Sequence, residues 1–417
     1  MVAIINKAKQ ISKLKPEQIF MLSVLLVNGG NYLYNLLLGR ILGPEAFSDA
    51  AIMITFLLAL SFVAMTFQLV TAKFSATLSG NTLLNFITKT LKNSLFTGVI
   101  FGLLIVVFAK QLQAVFNTSS YWMFIIFGLG TPLYFAMSAN RGVFQGKKEF
   151  KKLSITYQGE MLSRLLITLG LILVLSFNSS VLVSIGILIS FVFGLLPFNI
   201  SLKSTKTIKL DSTLNRHVKH FFIVTAFYEL TQITINNSDI LLVKHYFDAY
   251  EAGLYASLAL IGRIVYFIAW MFVMLLLPTV IELKKEHKPT APVLFKYLGY
   301  IAFISLSIVL ACYIMPETII TILFGDSYIA MAPLLWKYAV ATSLFALSNI
   351  FAYYYLSLDK YASVIISGLF GMLQVGLIIL YHNSLEQVVN LQILAMVLLL
   401  VVQILFFTIH TLKEKRL

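Results

Sequence analysis

Long apolar stretches, each about as long as a membrane-crossing helix, alternate with short polar gaps along this chain. A window of about 20 residues, the length of helix that crosses a hydrocarbon core of roughly 30 Å, finds twelve such spans. They cover residues 17–39, 48–72, 93–110, 121–140, 155–176, 181–201, 220–243, 253–281, 296–315, 333–357, 361–381 and 389–411. Backbone groups in hydrocarbon must be hydrogen-bonded within the protein, and the alternating pattern of a membrane β-barrel is absent. The pattern predicts an all-α polytopic membrane protein.

Basic residues mark one side of the predicted membrane. Of the 31 Lys and Arg, Arg40, Lys110 and Lys244 lie in gaps on one side and three lie within spans, whereas all others fall in every second gap or in the two tails. This asymmetry is the positive-inside pattern, and it predicts that both termini are cytoplasmic. The protein is therefore expected in the cytoplasmic (inner) membrane of a bacterium.

Composition excludes several functional classes. A chain that is 59% hydrophobic and 12% charged cannot form a soluble domain. Its net charge of +14 is spread over short segments, which favours contact with anionic membrane lipids over a nucleic-acid partner. The single cysteine, Cys312, and the six histidines form no metal-ligand spacing. We predict neither an enzyme nor a cofactor, apart from a coupling proton or sodium ion if transport is driven by one.

Two pairs of similar segments indicate an internal repeat. GRILGPEAFSDAAIMI aligns with KHYFDAYEAGLYASLA, so that Glu251 lies 206 residues after Glu45. VFNTSSYWMF aligns with LFGDSYIAMA, so that Leu323 lies 208 residues after Val115. Because each copy holds six spans, an even number, the two copies must be parallel and related by a pseudo-two-fold axis along the membrane normal. The predicted lobes are residues 1–207 and 208–417.

Polar residues within the spans are the first candidates for function, because they are costly in a membrane. Span seven carries a stripe at helical spacing, and span one carries amides at the corresponding depth. The stripe comprises Glu229, Gln232, Asn236 and Asp239, and the amides include Asn31 and Asn35. We predict that these spans line a hydrated cavity between the halves; the alternative is that the amides join helices across a dry interface. Glu229 and Asp239 are candidates for ion coupling.

Two arginines are predicted close to the bilayer midplane. A guanidinium at that depth, on Arg164 or Arg263, has the planar fork of donors that suits phosphate or diphosphate oxygens. The alternative is a salt bridge, with Glu160 one turn before Arg164 or with Glu229 beside Arg263.

Two further cations are predicted at the cytoplasmic ends of spans, where a charged headgroup would enter. They are Lys73 at the end of span two and Arg141 at the end of span four. Snorkelling of long side chains towards the headgroups explains both positions equally well.

Four segments carry a resemblance to a known family. They are GRILGPEAFSDAA, NRGVFQGKKEFKKLS, DILLVKHYFDAYEAGLYASLALIGR and LFGDSYIAMAPLL. In their order and spacing, together with twelve spans, the chain resembles the polysaccharide-exporting branch of the multidrug/oligosaccharidyl-lipid/polysaccharide (MOP) flippase superfamily, which includes Wzx-type O-antigen-unit exporters. The resemblance covers nearly the whole chain.

The resemblance implies two six-helix lobes that work by alternating access. Its implied substrate is an undecaprenyl-diphosphate-linked oligosaccharide, moved to the outer leaflet, and other polysaccharide-assembly proteins are implied as partners. Cationic residues bind the diphosphate in this family, and Arg164 and Arg263 are the candidates here.

Three other functions stay open at the level of sequence. A cation-coupled multidrug antiporter of the same superfamily is expected to carry an acid in the first lobe, where span one has amides. A lipid II flippase typically has two further helices. A membrane polymerase or ligase working on the same carrier lipid has a long outer loop that this chain does not have.

Overall fold

The computed structural model describes residues 16–198, 212–358 and 360–414, and these residues are almost entirely helical. Within these ranges there are thirteen α-helices, one 3₁₀-helix and no β-strand. The α-helices are α1 (Pro16–Thr77), α2 (Gly80–Val107), α3 (Ala109–Phe116), α4 (Trp122–Gly146), α5 (Phe150–Val174), α6 (Ser179–Leu195), α7 (Ser212–Tyr246), α8 (Ala249–Lys285), α9 (Ala291–Ile314), α10 (Pro316–Leu323), α11 (Ala332–Ser357), α12 (Ala362–Leu380) and α13 (Leu385–Glu414). The 3₁₀-helix covers Asp326–Met331. The predicted all-α fold is confirmed.

Nine helical segments in the described ranges are long and apolar enough to cross a membrane. The first of them, Ile19–Thr77, contains two predicted spans. α6 is apolar but has only 17 residues, and it ends at Leu195, short of the predicted end of span six. α7 has 35 residues but is less apolar than these nine segments, because its central turns carry the polar stripe.

Spans one and two are two helices that meet at a sharp kink within α1, separated by one non-helical residue. The only non-helical residue inside α1 is Gly43, with φ 73° and ψ 172°, and Pro44 follows it. Proline has no N–H to donate to the preceding turn, and a positive φ is accessible to glycine at little cost. Gly43 therefore ends the first helix, and Pro44 begins the second one directly after the kink.

The short helices support the internal repeat. α3 follows α2 in the first half, and α10 follows α9 in the second half, and each has 8 residues. Pro316 begins α10 207 residues after Ala109 begins α3, which lies between the two offsets found in the sequence. Each predicted repeat thus has the same long helix followed by a short one.

By proximity the chain forms two compact units. Unit 1 holds the chain up to Asn35 and Leu60–Glu229, and unit 2 holds Leu36–Ala59 and Leu230–Leu417. This division follows packing, whereas the predicted division at 207/208 follows the repeat. The two predicted lobes stay a prediction.

In unit 1, α4 and α6 are the central helices. α4 packs against both α2 and α6, and α6 also packs against α5. The contact of α2 with α4 depends on small residues, since a Cβ atom on Gly102 would overlap the carbonyl group of Gly128. Close backbone approach of this kind is typical of helices packed in a membrane.

In unit 2, α11 is the central helix and packs against α8, α9 and α13. Its core includes Leu276, Leu294, Ile350 and Tyr355, each at most 1% exposed. The segment Leu36–Ala59 of α1 also belongs to this unit.

Candidate functional site

Unit 1 contains a buried cluster of one carboxylate and two guanidinium groups. Glu160 and Arg164 lie one turn apart on α5, so they share a helix face, and Arg141 comes from the packed helix α4. Arg164 Nη2 lies 2.6 Å from Glu160 Oε1, and Arg141 Nη2 lies 2.8 Å from Glu160 Oε2. The three side chains are 5–9% exposed. With two cations and one anion, the cluster carries one excess positive charge.

Arg141 is held on several sides. Its Nε donates to Thr156 Oγ1 at 3.1 Å, and its Nη2 donates to the Thr156 carbonyl oxygen at 2.8 Å. The guanidinium also lies 4.0 Å from the ring centroid of Tyr157. Arg141 was predicted at a cytoplasmic span end, and the structure places it in the buried cluster, where it is 4% exposed.

Arg164 is less completely bonded than Arg141. Its guanidinium lies 6.0 Å from the ring centroid of Tyr34, and its Nε is buried without a hydrogen-bond partner. Of the two alternatives for Arg164, the structure shows the salt bridge to Glu160; contact with a substrate stays a prediction.

The other predicted residues of unit 1 lie outside this cluster's ion pairs. Lys73 is exposed, with its Nζ 3.7 Å from the ring centroid of Phe221. Asn35 Nδ2 donates to the Asn31 carbonyl oxygen at 2.8 Å, and both residues are half-buried. A role for these three residues in substrate binding stays a prediction.

Unit 2 contains a second buried pair of opposite charges. Asp239 on α7 has a side chain that is 1% exposed, and its Oδ1 lies 3.7 Å from Nη2 of Arg263 on α8. Asp239 Oδ2 accepts hydrogen bonds from the hydroxyl groups of Tyr255 at 3.1 Å and Tyr338 at 2.7 Å. Arg263 Nη2 also donates to the carbonyl oxygen of Asn236. The acid paired with Arg263 is thus Asp239 and not Glu229, since Asp239 lies nearer the end of α7 that adjoins α8.

The polar stripe of α7 is bonded partly to its neighbours within unit 2. Gln232 Nε2 donates to Asn349 Oδ1 on α11 at 3.1 Å, and Tyr266 on α8 donates to Gln232 Oε1 at 3.4 Å. Asn236 Nδ2 donates to the Gln232 carbonyl oxygen at 2.8 Å. For Gln232 the helix-joining alternative describes the contacts observed, and the predicted cavity stays a prediction.

Glu229 differs from the rest of this stripe. It is half-buried, and no hydrogen bond or ion pair joins its carboxylate to the described part of the chain. Its predicted part in ion coupling stays a prediction.

A small cavity of about 20 Å³, lined by both polar and apolar side chains, lies beside Asp239. Its lining includes Arg263, Tyr338, Gln374 of α12 and Gln392 of α13. Asp239 Oδ1 and Gln392 Oε1 are buried oxygens without a hydrogen-bond donor. This space is large enough for one water molecule.

Sequence reasoning missed several residues of the two clusters. Tyr255 and Tyr338 lie in apolar spans, where a tyrosine side chain is expected to pack against its neighbours. No sequence spacing indicates that either residue contacts Asp239. Gln374 and Gln392 are isolated amides in apolar spans. Because polar side chains are costly in a membrane, this isolation is a sequence signal that could have identified them as candidates.

Asp49 is a further residue that the sequence did not single out. Lys244 Nζ lies 2.9 Å from Asp49 Oδ1 and donates to Ser48 Oγ at 2.7 Å, all within unit 2. The Lys244 side chain is 2% exposed, although the sequence placed it in a polar gap.

Solved structures match this fold over nearly the whole chain. An inward-facing multidrug resistance MATE family transporter of the MOP superfamily is 12% identical, with a TM-score of 0.77 over 92% of this chain and 95% of that chain. The lipid II flippase MurJ, in an inward closed conformation, is 13% identical, with a TM-score of 0.76 over 94% of this chain and 87% of that chain. A MOP superfamily transporter from Pyrococcus furiosus, described as having a binding pocket of reverse polarity, is 12% identical, with a TM-score of 0.55 over 94% of each chain.

These likenesses define the class: the protein is a multi-pass membrane protein with the fold of the MOP superfamily transporters. Residues 37–333, more than half of the chain, match the family described as polysaccharide biosynthesis protein. The chain belongs to that family, which confirms the resemblance found in its sequence. No curated protein matches the chain.

Proposed function

We propose that this protein is a flippase that moves a polyprenyl-diphosphate-linked oligosaccharide from the cytoplasmic to the outer leaflet by alternating access. The observation that carries the proposal is the cluster of Arg141, Glu160 and Arg164, in which two guanidinium groups share one carboxylate. Family membership and the MOP fold support transport for polysaccharide assembly.

The chemistry of the cluster suits a diphosphate. A guanidinium offers two parallel donors to phosphate oxygens, and in a low-dielectric site the attraction is strengthened. The excess positive charge of the cluster attracts an anionic substrate and repels a cationic one. In the proposed cycle the diphosphate and sugar enter the protein from the cytoplasmic side, while the polyprenyl tail stays in lipid.

The experiment is a depletion of the protein in its bacterial host, followed by measurement of undecaprenyl-diphosphate-linked oligosaccharide in the inner leaflet. We expect the lipid-linked oligosaccharide to accumulate after depletion. Expression of the wild-type protein should clear it, and expression of Arg164→Gln should not. Arg164→Gln removes the excess charge but leaves Glu160 paired with Arg141, so the cost to the fold is limited. Lys337→Gln is the matched control, since Lys337 pairs with the exposed Glu386 and should clear normally.

Other results of this experiment would favour the alternatives. No accumulation, with altered drug sensitivity, would favour the multidrug antiporter; the MATE transporter named above has the same fold. Accumulation of lipid II would favour a lipid II flippase.

Asp239 supports a coupling role for unit 2. Its carboxylate either pairs with Arg263 or takes up a proton or sodium ion from the adjacent cavity, because one carboxylate cannot fully compensate both charges. Cation uptake would then release Arg263 for an anionic substrate.

Reconstituted vesicles test this coupling. An imposed proton or sodium gradient should increase the rate at which wild type translocates the lipid-linked oligosaccharide. The rate for Asp239→Asn should be the same with and without the gradient. Equal acceleration of both proteins would contradict it. Glu386→Gln, at an exposed acid, is the control.

A further inference from the structure

Glu160 lies between two arginines and presents one carboxylate oxygen to each of them. Oε1 accepts from Arg164 Nη2 and Oε2 accepts from Arg141 Nη2, at 2.6 and 2.8 Å. The carboxylate is thus shared equally in distance, although it can neutralise only one of the two cations.

The two arginines differ in how firmly they are held. Arg141 has Thr156 and Tyr157 as further contacts, so it keeps its position without Glu160. Arg164 has Glu160 as its only ion-pair partner in the described ranges, and its Nε edge is buried and unbonded. Burial of an uncompensated charge is costly, so a second anion beside Arg164 would lower the free energy of this cluster.

We propose that Glu160 is a resident anion that a diphosphate displaces from Arg164. The inference rests on the proposed function, and it deepens that function by giving the acid of the cluster a part in binding. In the exchanged state one phosphate of the diphosphate takes the Nε and Nη2 donors of Arg164, and Glu160 stays paired with Arg141. Each arginine then has its own anionic partner, the second phosphate lies outside these two pairs, and no proton or bond is transferred.

The exchange has a consequence for transport. A diphosphate bound against a competing carboxylate is held less tightly than one bound to a bare arginine pair. A carrier needs such a moderate affinity, because a headgroup that binds too tightly is not released on the far side. Glu160 therefore limits affinity and favours turnover.

Binding of inorganic pyrophosphate to the purified full-length protein in detergent tests the exchange. We expect Glu160→Gln to bind pyrophosphate at least about tenfold more tightly than wild type, because the competing charge is gone. Arg164→Gln should lose the binding. Glu149→Gln is the control: Glu149 pairs with Lys152 in the same unit at 2.6 Å but is 30% exposed, and its substitution should leave the affinity unchanged.

A second variant covers the case in which Glu160→Gln does not fold. Glu160→Asp keeps the charge but shortens the side chain by one methylene, so it cannot reach both guanidinium groups. It should bind pyrophosphate more tightly than wild type and less tightly than Glu160→Gln. Unchanged affinity in a folded Glu160→Gln or Glu160→Asp protein would overturn the inference and leave Glu160 a permanent counter-ion.

The inference and the proposed function fail in different ways. If neither acid variant tightens pyrophosphate binding while Arg164→Gln still blocks clearance of the lipid-linked oligosaccharide in cells, the exchange is wrong and the flippase proposal stands. If Arg164→Gln clears the oligosaccharide as wild type does, the flippase proposal itself is contradicted at this site.

Discussion

The buried charged side chains in the described part of the chain have partners, and the partners differ in number. Lys244 has a carboxylate and a hydroxyl, Asp239 has two hydroxyls and a guanidinium, and Glu160 has two guanidiniums. Only the last set is unbalanced towards one sign. The balanced Lys244 pair fits a structural role, whereas the unbalanced cluster fits recognition of an anion.

The Lys244–Asp49 pair should contribute strongly to stability. Asp49→Asn leaves a buried ammonium group without its counter-ion, and we expect a loss of about 3–5 kcal/mol in the free energy of unfolding. Thermal unfolding of the purified protein in detergent measures this.

Two comparisons make that stability prediction specific. Glu149→Gln, which breaks a partly exposed pair at the surface, should cost roughly 0–1 kcal/mol. The double variant Asp49→Asn/Lys244→Met should be more stable than Asp49→Asn alone, since it removes the unpaired charge. A loss in the double variant equal to the sum of the losses in Asp49→Asn and Lys244→Met would mean that the residues act separately.

The contacts within the two charged clusters could be predicted only in part from the sequence. Arg164 and Glu160 are four residues apart in the sequence, so a helix brings them together, and that pair was foreseen. Arg141 joins them from another helix, and Asp239 reaches Arg263 across a helix pair. Contacts of this kind depend on how helices rotate against one another, which local spacing does not fix.

At the scale of elements, apolar length was a reliable guide to the long helices and a poor guide to their ends. Span six was predicted to end at residue 201, but α6 ends at Leu195. The backbone becomes extended at Leu196, the residue before Pro197. The residue before a proline disfavours the helical region. α3 and α10 were not predicted, since eight residues of mixed polarity between spans resemble a loop.

The bend in α1 gives an element-scale prediction. Gly43→Ala should cost on the order of 1–3 kcal/mol, because its φ of 73° with ψ of 172° lies in a region essentially restricted to glycine. The shift in melting temperature of the purified protein measures it. Gly29→Ala in the same helix is the control: no atom lies within 4 Å of an added Cβ there, so a neutral or slightly stabilising effect is expected. An equal change in melting temperature for the two substitutions would show that the kink does not require a glycine at position 43.

At the scale of the whole molecule, the distribution of basic residues predicts an orientation that labelling can check. Cys312 is the single cysteine, and it is buried in α9, so a Cys312→Ser background is free of thiols. In that background Asn383→Cys should react with a membrane-impermeant maleimide in intact cells. Lys288→Cys should react only after the membrane is opened. The reverse pattern would invert the predicted topology.

The composition of α7 bears on how the protein is made. A carboxylate at the centre of a helix costs about 2.5–3.5 kcal/mol on insertion scales, and α7 carries Asp239 and Glu229 among several amides. The groups that bond Asp239 and Gln232 lie on α8 and α11, and only two residues separate the end of α7 at Tyr246 from the start of α8 at Ala249. We therefore expect α7 to enter the bilayer together with α8 as a hairpin, because Tyr255 and Tyr266 on α8 already bond Asp239 and Gln232. The bonds to Tyr338 and Asn349 form later, when α11 is in place.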